Sequence, residues 1–485
     1  MINWLQEKYI SLLSPWIPIM GKVNSKIKYR LLTACFFVDL VLFCIVRYVL
    51  HKESYFYNTI CGFIIMFAIA ILSLDRKLEK KTWRRSICVS WFGMCALFTL
   101  SDFLVTKKVC GLGLVLAFVF TMVFFVWQNN SRKDLLWKSF KDAVKIAFVI
   151  IAVLAFLFRP FFDGGRYAAI FTNPNTFGLY IFVVFAVYMS DLDWNVEIGK
   201  CTKRCIGTYF MLALCIFYLI VSQARTALLA VIAIFAVWLY LRISNGIKEK
   251  RHKHYLKAIG MLVLFSVVLF PVFFISAKKI PYLVGHPIIF QEDVLYLSNG
   301  EKIESVGDKV INESDNIESV DTFQKKEEHI NVIDRIIKGI MNNETLNNIS
   351  SGRLTIYKAY MSKLNFSGHK RITMNINGKK VSHAHNNWLQ FAYTYGILSL
   401  VMYTIVTLLS FTRSIYFYKT NRRKNATYAF FIPAICCGFL MATLTEALFL
   451  PFELFPAFAY WFAFGDIFEK KIEEKNTDEL IEGNH

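Results

Sequence analysis

Long apolar runs separated by short basic stretches fill most of the chain. Leu31 to Val46, Val109 to Trp127, Thr226 to Leu241 and Ile259 to Ser276 each approach the roughly 20 apolar residues that a helix needs to cross a hydrocarbon core. In lipid such a segment satisfies its backbone only by closing its own hydrogen bonds, so each run predicts a helix. About twelve spans are expected, centred near Phe37, Met66, Gly93, Phe118, Ala152, Val183, Leu214, Ala233, Leu264, Leu398, Cys437 and Tyr460. The expected fold class is an all-α integral membrane protein with one large outer loop domain.

Charge adds orientation. Lys22 to Arg30, Arg76 to Arg85, Arg132 to Lys145, Lys200 to Arg204, Arg242 to Lys257, Arg413 to Lys424 and the Lys470-Lys471 tail all fall on one side when the spans alternate. The positive-inside rule makes that side cytoplasmic and puts both termini there. A net charge of +20 would also suit a nucleic-acid binder, but the Lys and Arg residues sit between apolar runs and form no basic domain, which argues against nucleic acid. The expected organisation is a cytoplasmic interfacial segment (1–30), transmembrane helices one to nine (31–276), an extracytoplasmic loop domain (277–385), helices ten to twelve (386–467) and a cytoplasmic tail (468–485).

The first twenty residues lack the apolar core and small-residue cleavage site of a signal peptide. Ile2, Trp4, Leu5, Tyr9, Leu12 and Leu13 suit an amphipathic stretch in the interface, ended by Pro15 and Pro18. In the outer loop, 301–328 is rich in charged and small polar residues and reads as a solvated insertion. Ile333, Ile336, Ile337, Ile340 and Met341 recur at helical spacing, and Ser350 or Ser351 is placed to cap a helix running to Leu364. Ile372 to Ile376, Asn377-Gly378 and Lys379 to Ser382 form a hairpin signal that would deliver His383 and His385 to a helix beginning near Trp388. The 11 cysteines lie almost wholly in or beside apolar helices, so no disulfide framework is indicated; Cys201 and Cys205 lack a matching ligand set for zinc.

Three outward segments place an Arg beside turn residues: Arg166 before Asn173-Pro174-Asn175, Arg225 in Ser222-Gln223-Ala224-Arg225, and Arg353 after Gly352. A guanidinium fork matches phosphate oxygens, although a single Arg at a helix end also serves to anchor headgroups. His385 and Asn386 stand just before an apolar helix on the same face, where a neutral imidazole can accept a proton from an attacking hydroxyl. His383 offers a second imidazole, but a His-x-His metal pair has no third ligand at a suitable spacing, and no metal is expected. Asp191-Leu192-Asp193 looks like an Asp-x-Asp motif but falls on the inner face, where a solvated helix-end pair is expected. Asp39 lies within the first span, either as a functional carboxylate or paired with a polar neighbour. Glu446, near the outer end of the penultimate span, is placed to orient one of the arginines.

Taken in order, Arg166 to Asn175, Ser222 to Arg225, Gly352-Arg353, and His385-Asn386 followed by Leu389, Gln390 and Gly396 resemble the hallmark segments of the O-antigen ligase and polymerase superfamily. The resemblance begins near Arg159 and runs to the last span. It implies a GT-C-like bundle in the bacterial cytoplasmic membrane and an undecaprenyl-diphosphate-linked glycan as donor. The implied reaction is metal-independent and inverting, with no cofactor. Arg166, Arg225 and Arg353 would contact the diphosphate, and His385 would orient or deprotonate the acceptor hydroxyl, which makes Arg225 and His385 the catalytic candidates; with the residues read above, Asn175, Asn386, His383 and Glu446 are the further substrate-binding candidates. Implied partners are a glycan acceptor, the lipid bilayer and other polysaccharide assembly proteins. The insertion at 301–328 is not part of that family's core pattern. A polymerase is favoured over a ligase, and the chain lengths of surface polymer in a cell lacking the protein would separate the two. A flippase for the same lipid-linked sugars is the alternative of another class, but no repeat between the chain's halves supports it.

Overall fold

The structure, a computed structural model, describes residues 2–44, 46, 55–107, 111–162, 165–171, 173–198, 205–249, 252–289, 353–370, 373–376, 379–422, 426–448 and 455–470. The expected insertion at 301–328, the helix at 333–341, the caps Ser350 and Ser351, Gly352, Cys201 and the Asn377-Gly378 turn lie outside these residues.

The apolar runs form helices: α1 (Ile2–Leu13), α2 (Ser25–Cys44), α3 (Tyr55–Leu72), α4 (Arg85–Ser101), α5 (Thr121–Asn129), α6 (Lys133–Phe158), α7 (Pro174–Glu197), α8 (Ile206–Ser222), α9 (Arg225–Glu249) and α10 (His252–Val284). Further along the chain come α11 (Arg353–Met361), the strands β1 (Met374–Ile376) and β2 (Lys379–Val381), and then α12 (Asn387–Tyr395), α13 (Ile397–Asn421), α14 (Phe431–Thr443) and α15 (Phe455–Phe468). Among the described residues six helices are long and apolar enough to cross a membrane, and three further helices are apolar but shorter. The chain is a helical membrane protein by this measure.

α7 is the centre of the bundle. Its apolar window is 83% buried inside the protein, against 17% for α10, so α10 offers most of its apolar surface to the surroundings while α7 is walled in by α8, α9 and α14. Gly178 permits this: a Cβ there would collide with Ala224 and Ala227, so its absence lets the start of α7 lie directly on the start of α9. Asn173 caps α7, its side chain accepting from the Asn175 amide at 2.7 Å, and Pro174 supplies the first-turn geometry.

At the N-terminus Leu5, Tyr9 and Leu13 bury against the bundle, and the Tyr9 hydroxyl donates to the Phe118 carbonyl at 2.9 Å. Trp4, Leu12, Trp16 and Ile19 face outward. Helical turns continue through Pro15 and Pro18, because each Pro occupies a first-turn position where no amide donor is needed.

Two further expectations need correction. The span centred near Leu398 is not one helix: Gly396 separates α12 from α13 with φ of 88°, a backbone conformation that side chains rarely adopt, and a Cβ there would strike the Phe366 carbonyl. Nor is the Asp191–Asp193 pair solvated. Asp193 is buried, accepting from Arg242 Nε at 2.6 Å and Trp238 Nε1 at 2.9 Å, while the Tyr418 hydroxyl approaches its other oxygen at 3.2 Å. Arg242 also pairs with Glu197. Asp191 contacts Lys141 at 2.6 Å and Lys145 at 2.5 Å. Asp193 points into the bundle and Asp191 is half-buried, and both are paired with basic residues of neighbouring helices.

Candidate active site

The hairpin forms as its alternation predicts, with Met374 opposite Val381 and Ile376 opposite Lys379. Met374 packs with Tyr360 and Tyr393, seating the hairpin between α11 and α12. The chain leaving β2 then carries His383, His385 and Asn386 toward α12.

His385 adopts φ of 49°, the left-handed region, which costs a non-glycine residue about 1–3 kcal/mol and persists only where its surroundings impose it. Here they do. The Tyr357 hydroxyl donates to the His385 carbonyl at 2.9 Å, the Gln390 side chain accepts from the Ala384 amide at 2.7 Å, and Asn386 caps α12 by accepting from the Leu389 amide at 2.9 Å. Asn386 also donates to the Leu444 carbonyl at 2.9 Å, which ties the start of α12 to the end of α14.

Glu446, just beyond α14, joins two of the sequence candidates. Its Oε1 accepts from Arg353 Nη2 at 2.8 Å, and its Oε2 faces His385 Nδ1 at 3.2 Å. Arg353 Nη1 donates to the Thr445 carbonyl at 2.6 Å. A carboxylate at Nδ1 holds the ring proton there and leaves the lone pair on Nε2, the arrangement of an oriented base. Glu446 thus orients the histidine as well as the arginine for which the sequence suggested it. Burial works to raise the Glu446 pKa, but the hydrogen bond to His385 and the charge of Arg353 outweigh it and hold the carboxyl below its usual range. Its pairing therefore contributes fully above the ordinary carboxylate range and is lost only as pH falls through the lowered value. Burial, followed by the neighbouring His385, lowers the pKa of His383 and favours its neutral form.

A second cluster surrounds Arg166. Its Nη2 donates to Asn175 Oδ1 at 2.6 Å and to the Gln223 carbonyl at 3.3 Å, while Nε donates to the Ser222 carbonyl at 3.2 Å. Gln223 is left-handed, with φ of 51°, and turns the chain so that Arg225 opens α9. The two clusters meet through neighbouring threonines: the Thr445 hydroxyl donates to that of Thr226 at 2.9 Å. These contacts bring the first turns of α7, α9 and α11 together with the cap of α12, so that the positive ends of four helix dipoles lie close to one another.

Six of the eight sequence candidates, Arg166, Asn175, Arg353, His385, Asn386 and Glu446, take part in these contacts, while Arg225 stands at the start of α9 and His383 lies 4.0 Å from Glu446. The difference lies in what the arginines hold. Arg353 and Arg166 use several of their donors on carbonyls and on Glu446 and Asn175, so they brace the site as well as charging it. Tyr357 is the functional neighbour that the sequence reading missed. Its signal was the four-residue spacing from Arg353, which puts both on one face of α11. The third metal-ligating group absent from the local spacing also exists in space: Glu446 completes a trio with His383 and His385.

No family model matches the chain, and no curated protein matches it.

Proposed function

We propose that the protein is a membrane glycosyltransferase that uses an undecaprenyl-diphosphate-linked glycan as donor and passes it to an acceptor hydroxyl outside the bilayer, extending a surface polysaccharide as a polymerase. The convergence of helix starts that carry Arg166, Arg353 and the His385–Glu446 pair, with Arg225 opening α9 beside Thr226, carries this reading. Helix N-termini and guanidinium groups suit phosphate oxygens, and an imidazole with its lone pair on Nε2 suits a hydroxyl nucleophile. In the proposed step the acceptor oxygen bonds to the donor's anomeric carbon as the carbon–phosphate oxygen bond breaks. The hydroxyl proton passes to His385 Nε2, and the diphosphate departs with its charge balanced by the arginines. Direct attack inverts the anomeric centre, and charge stabilisation supplies much of the rate.

The reading includes about twelve crossings with both termini cytoplasmic and the histidines outside. Cysteines introduced at Lys380 and Lys257, both exposed, should then react respectively from the outside and only after permeabilisation. Labelling of position 380 solely from the cytoplasm would place the histidines on the wrong side for an outer acceptor.

Arg225→Lys tests the chemistry. It keeps the charge at the start of α9 but loses the planar fork, so transfer by the purified protein from a lipid-diphosphate glycan should fall about 10²-fold or more with expression unchanged. Normal transfer in both Arg225→Lys and Arg225→Ala would reduce Arg225 to a headgroup anchor.

A further inference from the structure

We propose that His383, His385 and Glu446 form a reversible binding site for a divalent transition metal ion of the zinc type, and that occupation of this site switches off the His385 base. One ligand atom from each residue lies within 4.8 Å of the other two. The closest approaches are 3.2 Å from His385 Nδ1 to Glu446 Oε2 and 4.0 Å from His383 Nε2 to the same oxygen. Ligands bonded to zinc at 2.0–2.2 Å in a tetrahedron stand about 3.4 Å apart, so small side-chain adjustments close the cage. The 4.0 Å separation is too long for a hydrogen bond.

The surroundings prepare the ligands. Ser382 Oγ lies 2.8 Å from His383 Nδ1 and can accept a hydrogen bond from a proton held there, which leaves the Nε2 lone pair free for a metal ion. Two imidazoles and one carboxylate select zinc, copper or nickel over magnesium or calcium, which favour all-oxygen shells. The histidine side chains are 37% and 30% exposed, so an ion has access and a water can take the remaining position. Arg353, on the other oxygen of Glu446, repels the cation and keeps the site weaker than a structural zinc centre.

The switch follows from proton balance. In the metal-free ring the proton sits on Nδ1 and the lone pair on Nε2. A metal ion at Nδ1 takes the lone pair of that nitrogen, so the single proton of the neutral ring moves to Nε2 with no net release. The nitrogen assigned to accept the hydroxyl proton is then already protonated. This consequence rests on the proposed role of His385, whereas the site itself does not.

The full-length protein in lipid nanodiscs, stripped by chelator, is titrated with Co²⁺ as a visible probe. The expected result is one saturable d–d absorption band, displaced by Zn²⁺ and lost in His383→Ala and in Glu446→Gln, together with a Co²⁺-dependent rise in the Tm of the wild type. Ser382→Ala retains all three ligands and should weaken Co²⁺ binding about 10- to 100-fold. No saturable band in the wild type, or a band of wild-type strength and affinity in His383→Ala, overturns the site. Zn²⁺ should inhibit transfer over the concentration range in which it displaces Co²⁺; binding without inhibition overturns the switch. Co²⁺ binding at these residues in a protein that transfers no glycan would leave the site standing and remove the catalytic reading.

Discussion

His385→Ala is expected to lower glycan turnover by about two to four orders of magnitude, the usual loss for a positioned acid or base, while donor binding and folding are largely retained. The backbone of His385 is held by Tyr357 on one side and by the capped start of α12 on the other, while its Nδ1 is held by Glu446. A group fixed at both backbone and ring meets a hydroxyl in one orientation, and positioning of this kind is what the alanine removes. His383→Ala should be milder, because Nε2 of His383 stands 4.0 Å from Glu446 and lacks the orienting bond that His385 has. Single-turnover transfer from a lipid-diphosphate glycan, with and without chelator, measures both. Wild-type turnover in His385→Ala, or loss of wild-type activity on chelation, would sink the metal-free base mechanism.

The largest loss of stability is expected at the other end of the bundle. Arg242→Ala removes the partner of a buried Asp193 whose side chain is 4% exposed, leaving an uncompensated charge at a cost of about 3–5 kcal/mol. Trp238 and Tyr418 would still donate to the carboxylate but carry no charge to neutralise it. The comparison is Lys80→Ala, which breaks an ion pair with Glu7 whose side chains are 50% and 55% exposed; such surface pairs are worth about 0–1 kcal/mol. Half-life at fixed temperature in detergent should therefore collapse for Arg242→Ala and scarcely change for Lys80→Ala. Equal half-lives would mean that water reaches Asp193.

The helices were legible because a run of apolar residues in lipid has one way to close its backbone, and the hairpin because Asn377-Gly378 interrupts alternating residues. The break at Gly396 was not: a glycine inside an apolar run is as compatible with an unbroken helix, and the deciding contact comes from the Phe366 carbonyl. The burial of Asp193 is hidden for a related reason: its sequence neighbours are those of a wet helix end, while its partner Arg242 arrives from α9. The candidate residues were visible one by one, but the bond between His385 and Glu446 spans 61 positions, and no local spacing encodes it.

The neighbouring helix starts of α7, α9, α11 and α12 bear on the end of the proposed catalytic cycle as much as its beginning. A positive field that draws in a diphosphate before reaction acts on the diphosphate left behind afterwards. Under the proposed chemistry the spent lipid carrier would leave against that attraction, and its departure into the bilayer, more than the making of the glycosidic bond, would set the pace of polymer growth.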